Sequence, residues 1–147
     1  MIYLKPVTLD DLDSFSETEY EQMSEEEKIR MITESRQQEH DGRYFEFLRV
    51  CDDDQIVGFM SLFAHSEHVI SIGPQIRKSF RGKGYGSKGE LLALQYAHDK
   101  GFDTAVSWVR HDNTTSLRLH EKLGFEIQQN DYIRNGKHYI IYIKELN

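Results

Sequence analysis

Between Phe80 and Gly89 the chain reads FRGKGYGSKG, in which glycines are interleaved with Arg81, Lys83 and Lys88. Glycine lets successive backbone N–H groups turn toward one point with no Cβ in the way, and a helix that starts just after them adds partial positive charge. Such a run suits the capture of a compact polyanion such as a pyrophosphate. Arg81 can grip a phosphate through two parallel hydrogen bonds, and Lys83 adds a second full charge. A G-x-x-x-x-G-K-[ST] phosphate loop is not spelled here. Gly84 to Gly89 does satisfy G-x-G-x-x-G, but the dinucleotide fold runs a strand straight into its glycines and keeps an acid beyond the next strand. Here RKSFRGK intervenes, and Asp103 precedes the next strand. What remains is an [RQ]-x-x-G-x-G pattern over Arg81 to Gly86, set against a solvated glycine turn that binds nothing.

A second group of polar residues follows in DNTTSLRLHEKLG. Asn113, Ser116 and His120 are spaced i, i+3, i+7 and share one helical stripe, while Leu119 and Leu123 form another that can face a core. Asn113 can cap this helix, reach a ligand, or do both.

These residues need elements to hold them. Ile2 to Val7 reads as a strand, and Thr8 with Asp11 starts an acidic helical region that runs, with a break, to about His40. YFEFLRVC and IVGFMSLFA, joined by Asp52-Asp53-Asp54-Gln55, predict a hairpin. Val69 to Ile76 alternates as a strand in which Pro74 cannot donate to a ladder, so a bulge or a lost partner is expected there. GELLALQYAHDKG places Leu91, Leu92, Leu94 and Ala97 at helical spacing before Lys100-Gly101, a C-terminal signal. TAVSWV reads as a buried strand, Asp112 or Asn113 opens the next helix and Gly124 ends it. Asn135-Gly136 joins FEIQQNDYIR to KHYIIYIKEL in a second hairpin. The order predicts one domain, residues 1–147, with a mixed sheet carrying helices on its faces.

Composition narrows the function classes. A net charge of −7 disfavours nonspecific binding to a nucleic-acid backbone. No apolar run reaches the roughly 18 residues of a membrane span, so no membrane partner is expected. The N-terminus carries no export signal, and Cys51, the only cysteine, reads as a free buried thiol suited to a reducing cytoplasm. Positive charge concentrates from Arg77 to Lys88, whereas Pro6 to Glu27 holds no Lys or Arg and many acids. That acidic region is either a solvated face or a rim that attracts cations.

With both motifs in view, the chain resembles the GCN5-related N-acetyltransferases (GNATs). The resemblance rests on IVGFMSL, on ISIGPQIRKSFRGKGYGSKGELLALQYAHDKGF and on VRHDNTTSLRLHEKLGFE, spanning Ile56 to Glu126. It implies an α/β (α+β) fold, a mixed, mostly antiparallel sheet splayed open, with acetyl-coenzyme A lying in the split and no metal. The pantetheine arm would run along the backbone at Gln75 and Ile76, the pyrophosphate would rest on Gly82, Lys83, Gly84, Tyr85, Gly86 and Ser87 beside Arg81, and Asn113 and Ser116 would face the cofactor. The implied reaction is N-acetylation of a primary amine, of a small molecule or of a protein or peptide, by direct attack on the thioester. The other class of reading is a module that binds acyl-coenzyme A and acetylates nothing.

Two positions depart from the family pattern. His120 stands where family members usually carry Tyr; an imidazole can deliver a proton to the departing thiolate, or can simply pack. The strand VISIGPQI carries no carboxylate, so no general base is carried over, and Glu67, His68 and His111 stand near strand ends as candidates acting through water. The aromatic strand HYIIYI is a candidate for pairing across a homodimer.

Overall fold

The computed structural model describes residues 1–147. Its strands are β1 (Ile2–Pro6), β2 (Phe45–Asp52), β3 (Gln55–Ala64), β4 (Val69–Ile76), β5 (Thr104–Arg110), β6 (Glu126–Arg134) and β7 (Lys137–Glu145). The helices are α1 (Glu25–Gln37), α2 (Tyr85–Asp99) and α3 (Thr114–Lys122), and short 3-10 turns cover Leu9–Phe15, Glu19–Gln22 and Lys78–Phe80. All strands join one 7-stranded sheet in the order β1-β2-β3-β4-β5-β7-β6, in which only β4 and β5 run parallel.

Strand alternation divides the apolar residues between two faces. Leu48, Val50, Met60, Leu62, Ile70 and Ile72 pack with Ala93, Leu94 and Ala97 of α2 and Leu123 after α3. On the opposite face Phe47 and Phe59 pack with Val7, Phe15 and Ile32 of α1. The face of α2 that reaches the sheet is Gly89, Glu90, Ala93, Leu94 and Ala97; Leu91 and Leu92, placed by sequence on the buried stripe, are exposed instead. The physical reason is close approach at Gly89, where an added Cβ would stand 2.8 Å from Met60 Cε.

The acidic N-terminal region begins as predicted with a Thr8–Asp11 capping box, but its first part is 3-10 turns, and only Glu25–Gln37 is α-helix. Asn135 and Gly136, at φ 51° and 73°, close the β6–β7 hairpin. β7 is flanked by β5 and β6 and is no edge, so HYIIYI has no free ladder to offer a second subunit; the edges are β1 and β6. Cys51 is buried and free.

The break in the sheet is the feature that positions the site. β4 pairs with β5 only from Val69↔Thr104 to Ser71↔Val106, whereas its pairing with β3 continues to Ile76↔Gly58. The strand does not bulge at Pro74, which stays in register opposite Met60. Arg77 N–H donates to Val57 C=O at 2.9 Å, and antiparallel alternation then sends the amides of Gln75 and Gly73 to β3 and the backbone groups of Pro74 and Ile76, beyond the last β5 pairing at Ser71, into the gap. Proline therefore sits where the lost donor faced no partner strand.

Candidate active site

A cleft of about 580 Å³ opens at this gap, walled by Pro74, Gln75 and Ile76 on one side, by the glycine segment and α2 start below, and by Asn113, Thr115, Ser116 and Leu119 on the other. The sequence-predicted residues Gln75, Ile76, Arg81, Gly82, Gly84, Tyr85, Gly86, Ser87, Asn113 and Ser116 all line it; Lys83 does not. Instead the Lys83 ammonium lies 5.7 Å from the centre of the Phe80 ring.

Locally the floor is built by backbone conformation. Gly82 and Gly84 adopt φ of 79° and 85°, the left-handed region that side chains disfavour, and Gly84 is the N-cap of α2 without a side-chain capping bond. The first helical bond of α2 is Lys88 N–H to Gly84 C=O, and the run of amides from Gly82 to Ser87 donates no hydrogen bond inside the protein. Unused donors at a helix start, joined by the helix dipole, are an arrangement that favours an anion. Arg81 lies over its edge, folded back so that Nε donates to Ile76 C=O at 2.9 Å and Nη2 reaches Gln75 Oε1 at 3.4 Å.

The loop is held from behind by the acidic region. Glu17, itself at φ 66°, accepts from Ser79 N–H at 2.8 Å, from Ser79 Oγ at 3.2 Å and from Arg77 at 3.2 Å. The Ser79 bonds, with Arg77 beside them, hold its carboxyl below the usual carboxylate range. Gln75 Oε1 also accepts from Glu19 N–H at 3.2 Å. Asp11, from the same run, is buried against Arg49 at 2.8 Å. Part of the acidic stretch is thus internal scaffolding, while Asp10, Asp13, Glu19, Glu21, Glu25, Glu26 and Glu27 stay exposed.

On the far wall, Asn113 Oδ1 accepts from Ser116 N–H at 3.2 Å, so Asn113, not Asp112, caps α3. His120, on the same stripe, does not line this cleft: it is 1% exposed, its ring stacked on Tyr142 at 5.5 Å. Its Nδ1 donates to Ser116 C=O at 2.7 Å, and Nε2 stands 3.4 Å from Glu90 Oε1, an ion-pair separation with no aligned hydrogen bond. Burial disfavours the charged ring, but the Glu90 carboxylate and the Ser116 carbonyl outweigh it and raise the imidazole above its usual range. Nothing in the sequence pointed to Glu90, whose type in a helix interior is ordinarily a solvated one.

The domain family described as Acetyltransferase (GNAT) domain matches residues 2–126. The chain belongs to the GNAT acetyltransferase family. Among curated relatives, mycothiol acetyltransferase of Rhodococcus jostii (strain RHA1) is 29% identical over 85 residues, 51% of this chain and 27% of that protein. The SPbeta prophage-derived uncharacterized N-acetyltransferase YokL of Bacillus subtilis (strain 168) is 33% identical over 88 residues, 55% of this chain and 48% of that one. The chain thus matches these relatives over about a quarter to a half of their length. Salmonella typhimurium yncA, solved with acetyl-CoA, superimposes with a TM-score of 0.80 at 14% identity, covering 99% of this GNAT and 94% of that chain, a likeness of fold.

Two negative features of this GNAT are plain. No cluster of three or more His, Cys, Asp and Glu side chains is arranged to hold a metal ion. No helix is long and apolar enough to cross a membrane.

Proposed function

We propose that this GNAT domain transfers the acetyl group of acetyl-coenzyme A to a primary amine of a small molecule or of a protein or peptide. One observation carries the reading: the unused amides from Gly82 to Ser87 lie at the floor of a cleft whose side wall is the unpaired edge of β4. A diphosphate fits the first, and an extended amide-bearing arm fits the second as an added strand would. Ile76 turns its backbone groups toward the gap, which supports its N–H as the donor that polarises the thioester carbonyl. The Gln75 amide turns toward β3, so we assign Gln75 a side-chain role, steadying Arg81.

When bound, acetyl-coenzyme A supplies the activated acyl carbon; the chain orients it, excludes water around it and handles protons. We assign His120 to holding α3 against α2, because one ring nitrogen is bonded to Ser116 and the other faces Glu90, leaving no N–H for a thiolate. His120→Phe should then leave the shape of the kcat pH profile unchanged; loss of its alkaline limb would restore the proton-donor role. The amine itself is drawn toward the exposed acids of residues 10–27.

Calorimetry with acetyl-coenzyme A tests the central point. Saturable binding is expected, weakened at least tenfold in Gly86→Asp, which places a carboxylate among the phosphate-binding amides where the backbone accepts a side chain. No uptake at millimolar ligand, or equal binding by the variant, would overturn it. Thiol release against a panel of amines then separates an enzyme from a module that only binds: binding without turnover on any amine favours the latter.

A further inference from the structure

The cofactor cleft does not end at the gap. It shares Pro74 and Ser116 with a second cavity of about 320 Å³, lined by Ser61, His65 and Ser71, by Gly73 of β4, and by Ser107 and Trp108 of β5, with His120 on its far side. An acyl group carried along β4 from the glycine loop would point toward this cavity, and a nucleophile would meet it there. The titratable side chains lining the cavity are two, His65 and His120. His120 is occupied by Ser116 and Glu90. His65 is not: its Nε2 is buried and has no hydrogen-bond partner in the protein.

We propose that His65 is the general base of the acetyl transfer, taking a proton from the attacking amine at Nε2 within the cavity that continues the cofactor cleft. The assignment rests on the acetyl-transfer reading given above. The neutral amine's lone pair forms the C–N bond to the thioester carbonyl carbon while Nε2 accepts one proton from that nitrogen. The C–S bond then breaks with its electron pair on sulfur, coenzyme A leaves as thiolate and is protonated from solvent, and the His65 imidazolium returns its proton to solvent. Atoms and charge balance to an amide, free thiol and the resting imidazole.

The surroundings keep His65 a base. Its ring lies 5.9 Å from Trp108 and 5.8 Å from Phe63, both uncharged. Burial and then Arg43, which precedes β2, push its imidazole below the usual range, so the ring is neutral near pH 7. β4 presents Ser71, β6 presents Arg134 on Trp108 at 5.3 Å, and α3 presents His120 with Glu90 behind it; no carboxylate is paired with His65. The main-chain bond from His65 N–H to Val69 C=O at 2.8 Å fixes its backbone at the end of β3. Glu67, His68 and His111, the candidates near strand ends, are exposed and line no part of this cavity.

The test compares the intact chain with His65→Gln and His65→Ala, using the amine that gives thiol release and following kcat/KM from pH 5 to 9 while a calorimetric titration measures acetyl-coenzyme A binding. The expected result is a fall of about 10²-fold or more in kcat/KM at pH 7, loss of the acidic limb, and cofactor affinity within twofold of wild type. Retention of the limb, or kcat/KM within threefold in both variants, overturns the assignment. An NMR titration of the His65 ring in the wild-type protein is an independent readout: a pKa at or above 6.5 in the cofactor complex also overturns it. If wild-type chain binds cofactor but acetylates no amine, the acetyl-transfer reading and the base assignment that rests on it both fall. Active wild type with unaltered variants removes the base alone.

Discussion

Glu46 and Glu90 are both buried acids on the α2 side of the sheet, 2% and 0% exposed, yet they are held in opposite ways. Glu46 on β2 is saturated. It accepts from Tyr96 Oη at 2.7 and 2.9 Å and from Tyr44 Oη, and the Lys100 ammonium lies 3.9 Å away. Burial and the carboxylate drive both phenols well above their ordinary range, so they stay protonated donors. Glu90 on α2 has no hydrogen bond to either oxygen and meets only the His120 ring at 3.4 Å. A fully bonded buried acid rigidifies its surroundings, whereas a bare buried pair stays sensitive to the proton count of its partner. The first clamps β2 to α2 away from the cleft; the second joins the two helices that flank it.

That contrast can be broken by substitution. Glu46→Ala removes the acceptor of two partly buried phenols and should cost about 3 kcal/mol in urea unfolding; a loss under about 1 kcal/mol would mean the phenols rehydrate freely. Glu90→Ala should cost less, about 2 kcal/mol, because His120 can shed its proton once its counter-charge is gone. In the cycle with His120→Phe the pair should show a coupling of about 1 kcal/mol, and additivity of the two single losses would dissolve the pair.

Proton sensitivity sharpens the comparison further. His120 titrates higher folded than unfolded, so its contribution is complete below the unfolded pKa near 6.5 and is lost as pH rises through the folded value. Unfolding free energy of wild type should therefore decline, through this group, as pH climbs from about 6.5, and Glu90→Gln should flatten that decline. An identical slope in the variant would assign it to other groups. The smallest effect is expected from Glu46→Gln assayed for cofactor affinity, which should move less than twofold because Glu46 does not line the cleft; a larger shift would tie the clamp to the site.

The glycine turn at the cleft floor was legible because it is local. Glycine spacing, a cation beside it and an ensuing helix start act within one short segment, and Gly82 and Gly84 adopt the conformations that only their residue type favours. Asn113 was legible for the same reason, as a cap bonding a residue three positions on. Leu91 and Leu92 misled because helical spacing marks a stripe without saying which side meets the sheet. The stripe that His120 shares with Ser116 was legible, since its ring bonds the Ser116 carbonyl one turn back, but its burial against Tyr142 and Glu90 was not. His65 escaped notice in the turn-like run AHSEH, where neighbouring Glu67 and His68 are solvated.

What the chain's order of residues determined by itself was the family, the glycine turn with its undonated amides and the hairpins, since each depends on dihedral preference and hydrogen bonding over a few positions. Only the tertiary structure decided where β4 parts from β5, which acid faces His120, and that a second cavity carries the split through to His65. Those depend on strand register and helix docking between residues far apart in sequence, where one-residue shifts exchange the faces of a strand and no local pattern records the outcome.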